Sequence, residues 1–319
     1  MSQSLTTDQK PPTAPETLRQ RQITAWLAIA FAVLLGAAWQ VATRHGASHG
    51  FAPMDLALLR YGIPALLLSP LWWRSGLMPK NFSKKVLLVL VCGAGLPYGL
   101  LAMTGARYAP VAHMGALITG LMPVMVILLS WLVLRQKPIR LHIFSAAIIA
   151  VGAGLVTEVW RLGGQSIQQV LTGDVLFIVA AALWAMYTLA LRGAGLSAWT
   201  STAIISAWSA LGSVPLWCFM TWGTVETSYL PKTMLLDASP QSIAVQVLVQ
   251  GVLAGAVAMF AIAHAVQVLG PRMCAAMGAA VPVLSSLGGV WLLGEPVQPA
   301  AALGMLLVSG GILALAWKR

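Results

Sequence analysis

"MCAAMGAAVPVLSSLGGVWLLGEPVQP", Met273 to Pro299, decides the fold. Its first 21 residues carry no charge, and a helix of about that length spans the roughly 30 Å of hydrocarbon in a bilayer. The run then stops on Gly294, a single carboxylate at Glu295, and Pro296. An earlier stretch, "MGALITGLMPVMVILLSWLVLRQKP" from Met114 to Pro138, has the same outline but ends in Arg135, Gln136 and Lys137. Two segments of one design that end in opposite charge call for an explanation from the rest of the chain.

Composition narrows the class. Hydrophobic residues make up 59% of the 319 and charged ones 8%, where a soluble domain has about 25% charged residues. Mean hydropathy is +0.83. This is the composition of an integral membrane protein. The net charge of +11 is not gathered on one polar face, as nucleic-acid binding requires; the basic residues punctuate apolar runs. Cys92, Cys218 and Cys274 all lie in apolar stretches and fit neither metal-ligand spacing nor a disulfide framework. No cofactor and no metal is expected. The polar, proline-bearing residues 1–22 read as a disordered cytoplasmic tail and not as a cleaved signal.

Apolar runs long enough to cross the bilayer number ten, near 24–43, 53–73, 85–106, 110–134, 141–158, 173–192, 200–222, 241–268, 272–294 and 299–317. They must be helices, because lipid cannot satisfy exposed backbone groups and the runs lack the alternation of barrel strands. Charge tests the count. With ten spans, fourteen basic residues share the side of the termini: Lys10, Arg19, Arg21, Arg74, Lys80, Lys84, Lys85, Arg135, Lys137, Arg140, Arg192, Arg272, Lys318 and Arg319. Only Arg44, Arg107, Arg161 and Lys232 fall on the other side, and Arg60 lies inside the second span. The asymmetry predicts both termini in the cytoplasm of a bacterial inner-membrane protein.

Shifting the chain by 159 positions aligns Ala106 with Ala265, Met114 with Met273, Pro123 with Pro282, Leu134 with Leu293 and Gly152 with Gly311. The repeat is five spans long, residues 23–158 and 173–319 about an external linker at 159–172. An odd number of spans inverts the second copy, and inverted repeats place a substrate site near the midplane where the halves meet. The segment from Ala265 to Gly311, with Pro282, Gly294, Glu295, Gly304 and Gly311 in order, resembles the second repeat of the EamA-type drug/metabolite transporter superfamily. "LWAMYTLALR", Leu183 to Arg192, resembles the opening of that repeat, and Trp39 with Pro53 and Arg60 resembles the opening of the first. The resemblance implies an all-α integral membrane fold of ten helices in two inverted five-helix repeats. It also implies movement of small organic metabolites, often outward. Within the superfamily the chain is most similar to YddG-type exporters of aromatic and other neutral amino acids. It departs from the pattern at Arg135-Gln136, the first-half counterpart of Gly294-Glu295.

Transport breaks no bond, so the candidates are substrate-binding groups and pivots. Arg60, the cation inside a span, suits a substrate carboxylate; it also suits snorkelling or a pair with Asp55. Trp39, Tyr98, Trp184 and Tyr187 are expected to form an aromatic wall away from the interfaces where Trp and Tyr usually collect. Thr119, Gln246, Gln250, Ser285 and Ser286 are the polar candidates for the other end of an amino acid. Pro97, Pro123 and Pro282, with Gly99, are expected to kink their spans in mid-helix and act as hinges; Pro215 removes a bond in the same way. His113 and His264 read as helix-end residues. With no Asp or Glu deep in a span, passive export is favoured over proton coupling. The lipid bilayer and a small amino-acid substrate are the expected partners, with no nucleic acid and the oligomeric state open. A broader metabolite or drug permease is the alternative within transport, and a receptor or scaffold the alternative outside it. No pattern of catalytic groups supports an enzyme. Glu295 reads as a helix-end residue tolerated on the outer face.

Overall fold

The computed structural model describes residues 14–79, 82–158, 165–222 and 232–317. Nine helices among them are long and apolar enough to cross a membrane: Leu18–Ser48, Lys84–Tyr108, Val111–Leu132, Arg140–Thr157, Ile167–Leu191, Trp199–Trp222, Pro240–Val266, Met273–Leu293 and Pro299–Ala316. A tenth span is the pair Pro53–Leu67 and Ser69–Ser75, bent by 68°. Counted in chain order these are spans 1 to 10, and no strand occurs among the described residues. Residues 1–13 of the expected tail lie outside the described residues, and 14–22 already belong to the first helix. In the expected linker, 159–164 lie outside the described residues and helix resumes at Gln165.

The repeats are visible in the packing. Span 5 packs on span 10 and span 2 on span 7, and each of these pairs maps onto itself when the halves are exchanged. Span 1 packs on spans 8 and 9 as span 6 packs on spans 3 and 4. Five spans per copy place the copies in opposite directions through the membrane. Spans 5 and 10 touch at backbone distance: a Cβ on Gly152 would sit 2.6 Å from the Gly304 carbonyl oxygen, and one on Gly304 2.5 Å from that of Gly152. Small residues allow this approach in place of a hydrophobic force that lipid cannot supply.

The interruptions come in repeat-related pairs. Span 3 breaks at Gly95 and span 8, its counterpart, is π-helical over Val247–Val257. Span 4 is π-helical over Gly115–Gly120, and span 9 breaks at Ala279 and Ala280. The expected mid-helix proline kinks need correction. Pro97, Pro123 and Pro282 are the second residues of the restarted helices Leu96–Tyr108, Met122–Leu132 and Val281–Leu293. There the missing N–H has no intrahelical partner to lose, so proline starts the second segment and does not bend a continuous one. Pro215 does lie inside its helix, as does Pro64 in span 2.

Backbone groups freed at the breaks find partners. Tyr61 donates to the carbonyls of Gly95 (2.7 Å) and Ala94 (3.2 Å), and the Leu96 N–H donates to Ser209 Oγ at 3.0 Å. At the span 9 break Ser309 donates to Ala279 O at 2.7 Å. In bent span 2 the Trp72 indole donates to Ala65 O at 2.7 Å.

The two turns that opened the sequence reading share one geometry. Gly294 is left-handed at φ 67° and the next N–H, of Glu295, bonds back to Gly289 O at 3.1 Å. Arg135 is left-handed at φ 55°, and the Gln136 N–H bonds back to Ser130 O at 3.1 Å. Both ends are helix C-caps of the same type. Arg135 holds a conformation that costs a residue with a Cβ about 1 kcal/mol or more.

Two outcomes follow for thermal unfolding of purified protein. Gly152→Val should destabilise by about 1–3 kcal/mol, whereas Gly154→Val, whose Cβ meets nothing within 4 Å, should stay within about 0.5 kcal/mol. Arg135→Gly should raise the midpoint and Gly294→Val should lower it; the reverse order would contradict the shared turn.

Candidate functional site

A cavity of about 330 Å³ lies between the repeats. Span 1 contributes Ile29, Gly36, Trp39 and Gln40, span 2 Arg60, span 3 Tyr98, span 4 Thr119 and Met122, and span 6 Trp184. Spans 8 and 9 add Ala254, Ile262, Cys274 and Gly278. Spans 1 and 9 start, and spans 4 and 8 finish, at the end of the bundle where Leu18 and Ala316 lie. The lining therefore runs from the level of Gln40 and Thr119 toward that end, here called the termini end, and stops short of the opposite or far end. Its walls are mostly apolar, and Arg60 is the one charged residue lining it among the described residues.

Five of the expected binding residues meet there. The Arg60 guanidinium lies 4.4 Å from the centroid of the Trp39 ring, a cation–π contact that holds the charge over an aromatic face. Trp39 stacks on Tyr98 with ring centroids 6.2 Å apart, and Tyr98 lies 4.9 Å from Trp184. Thr119 accepts a 2.7 Å hydrogen bond from Gln40 Nε2. Tyr187 sits 5.2 Å from Trp184, behind it, on a smaller adjoining space that Arg60 and Tyr61 also line. Arg60 does not pair with Asp55. That carboxylate instead accepts from Ala52 N, Trp217 Nε1 and Met234 N, while Arg60 Nη1 is buried without a hydrogen-bond partner.

The other polar candidates lie away from the cavity. Gln246 donates to Ala42 O at 2.9 Å and Gln250 to Thr43 Oγ1 at 3.0 Å, so both tie span 8 to span 1. Ser285 and Ser286 donate to Pro282 O at 3.1 and 2.8 Å and are buried among helices. Gly99 faces the Tyr61 ring, whose hydroxyl oxygen would lie 2.5 Å from a Cβ placed there. Sequence reasoning missed Gln40 and Tyr61. Gln40 follows Trp39 directly, and Tyr61 follows Arg60, so a neighbour of each expected residue shares its face of the site.

At the far end an Arg–Glu ion pair and a His–Asp contact between described residues both join the repeats. Arg44 Nε donates to Glu295 Oε1 at 2.7 Å, Arg44 Nη1 donates to Ala106 O at 2.7 Å, and the Val111 N–H donates to Glu295 Oε2 at 2.9 Å. His113 Nδ1 lies 2.8 Å from Asp174 Oδ1. Asp55 and Asp174 lie in spans 2 and 6, toward the far end and not deep in the span. Both are buried; Asp55 accepts from three protein donors, and Asp174 Oδ1 faces His113 Nδ1 while its Oδ2 has no partner. Neither lines the cavity. At the termini end His264 meets Thr24 at 3.2 Å.

Ten apolar helices in two inverted repeats, interrupted in matched pairs around a central cavity, define a transport fold of the membrane. A model of the EamA-like transporter family matches residues 22–158 and 171–317. The chain belongs to that family, whose members move small metabolites across membranes and are not enzymes. It is also similar to a solved structure titled only as the crystal structure of a protein, at 19% identity and a TM-score of 0.58 over 93% of this chain and 96% of that one. At that identity the likeness shows the fold alone. No curated protein matches the chain.

Filling the cavity tests its place in transport. Gly36 lines it, and a Cβ there would meet only Val281 Cγ2, at 3.8 Å; Gly278 lines it with nothing within 4 Å. Gly36→Leu and Gly278→Leu should leave the thermal midpoint near that of the parent while suppressing ligand binding and flux several-fold. Unchanged flux in both would remove the cavity from the pathway.

Proposed function

We propose that the protein exports small neutral amino acids, aromatic ones among them, across a bacterial inner membrane by alternating access. The observation that carries this reading is the pairing of one cation, Arg60, with the apolar and aromatic walls of a cavity sized for a small metabolite. A carboxylate gains a charge-assisted hydrogen bond from the guanidinium, whose buried Nη1 has no hydrogen-bond partner within the protein. Trp39, Tyr98 and Trp184 offer ring faces to an aromatic or aliphatic side chain. A cationic drug finds no acid on the described lining to offset Arg60, which disfavours the drug-permease alternative. The excess of basic residues on the side of the termini supports a cytoplasmic termini end, which directs the cavity toward the cell interior. With no titratable carboxylate on the described lining, export down the substrate gradient is the simplest coupling.

Proteoliposome efflux of labelled phenylalanine, tryptophan and threonine, with and without an imposed pH gradient, tests this. Flux of phenylalanine and tryptophan without the gradient is expected, and Arg60→Gln should reduce it about tenfold or more, the loss of one charge-assisted bond. Absence of flux for all three would remove the amino-acid reading. Flux only with the gradient would replace passive export by proton coupling.

A further inference from the structure

Glu295 is expected from sequence to do no more than end a helix. Its carboxylate instead has a partner on each oxygen, and both partners belong to the other repeat. Arg44 lies four residues before the end of span 1, Val111 starts span 4 and Glu295 follows span 9, so one carboxylate gathers three spans at the far end. The same guanidinium reaches the last turn of span 3 through the carbonyls of Ala106 and Arg107. The Arg44 and Glu295 side chains are only 21% and 18% exposed, so the pair is shielded from the screening that weakens surface ion pairs.

Inverted symmetry allows a control within the molecule. The termini end should carry the equivalent contact if both gates were closed by the same means. Glu295 corresponds to Gln136, at a turn of the same geometry. Arg44 corresponds to Leu189: Trp39 and Trp184 begin matched segments, and Thr43 and Thr188 each donate back to the carbonyl of that tryptophan, at 2.7 and 2.8 Å. Neither counterpart can carry charge, and Gln136 is exposed. Among the described residues the clasp therefore has no counterpart at the termini end.

We infer that the Arg44–Glu295 clasp is the gate of the far end, and that its one-sidedness makes the far-closed, termini-open arrangement the resting state of the transporter. Opening the far end must separate Glu295 from Arg44 and from the Val111 N–H, whereas opening the termini end breaks no equivalent contact. This rests on the alternating-access reading but on no choice of substrate.

Native Cys274 lines the cavity on its termini side and reports that arrangement, and Ser285→Cys, fully buried between cavity and far end, reports the other. With Cys92 and Cys218 replaced by serine and the protein in nanodiscs, a polar maleimide should label Cys274 readily. Glu295→Gln should lower the rate at Cys274 and raise that of Ser285→Cys, the latter measured with Cys274 replaced, each about fivefold or more. Arg44→Gln should act the same way, and combining the two should add little, because both remove one contact. Unchanged labelling in both folded variants, or additive effects, would overturn the inference. A second measurement keeps the hydrogen-bonding groups of the clasp, since Val111 contributes only its backbone N–H and a Cβ on Gly289 meets Glu295 Oε2 at an ordinary contact of 3.4 Å. A Cβ on Gly289 would lie 3.4 Å from that of Val111, close to disulfide geometry. Gly289→Cys with Val111→Cys should therefore oxidise quickly without substrate and keep Cys274 labelled at the parental rate. Slow oxidation, or protection of Cys274 once the bond forms, would show that the far end does not rest closed. None of these readouts uses an amino acid, so failure of the amino-acid reading leaves the gate result standing.

Discussion

A backbone amide or carbonyl left without a partner in hydrocarbon costs several kcal/mol, and the whole architecture follows from meeting that demand at places where the helices do not. Helices interrupted near the middle of the membrane give a transporter places at which to bend. Each interruption frees backbone groups that water would satisfy elsewhere. Here Tyr61, Ser209, Ser309 and Trp72 supply the missing partners from neighbouring helices or turns. Three of the breaks are followed at once by proline, at a helix position that needs no donor. Breaks of this kind are stable enough to fold and soft enough to move.

The cavity follows from the same arrangement. Interrupted spans 3, 4, 8 and 9 meet spans 1, 2 and 6 with small residues and rings at the junction, so the space between them is neither filled nor polar. Arg60 is tolerated there because the face of Trp39 receives its charge in place of water. The buried carboxylates Asp55 and Asp174 are handled differently, with hydrogen-bond donors close by and at the edge of the bundle. Buried charge is thus treated by position: one cation over a ring in the middle, and acids held beside protein partners at the far end.

Much of the fold is legible in the sequence. Runs of about 20 apolar residues and the lopsided distribution of Lys and Arg fix ten crossings, and Pro123 and Pro282 in register reveal the duplication. The ends were less legible. Span 1 was drawn to stop before Arg44, since a cation reads as the edge of the membrane; the helix continues to Ser48 because Glu295, 251 residues away in sequence, neutralises that cation. The site was legible in part. Trp39, Arg60, Tyr98, Thr119 and Trp184 converge, because rings and cations are unusual at that depth and draw notice. Gln246, Gln250, Ser285 and Ser286 drew the same notice but hold helices together, since a lone polar residue in a span has two ways to be satisfied and spacing does not choose between them. Pro97, Pro123 and Pro282 mark where new helices begin and do not bend continuous ones, and Gly99 marks where the Tyr61 ring packs.

The left-handed turn at Arg135 bears on how the chain enters the membrane at all. The second repeat places Gly294 in that conformation at no strain, whereas the first accepts a residue that the backbone disfavours. A glycine would relax the turn but remove one of the charges that hold this end of span 4 on the side of the termini. Two copies alike in every turn would have no reason to insert one way up and not the other. The strained turn at Arg135 thus keeps one of the basic residues on the side of the termini at a position where the second repeat has an unstrained glycine.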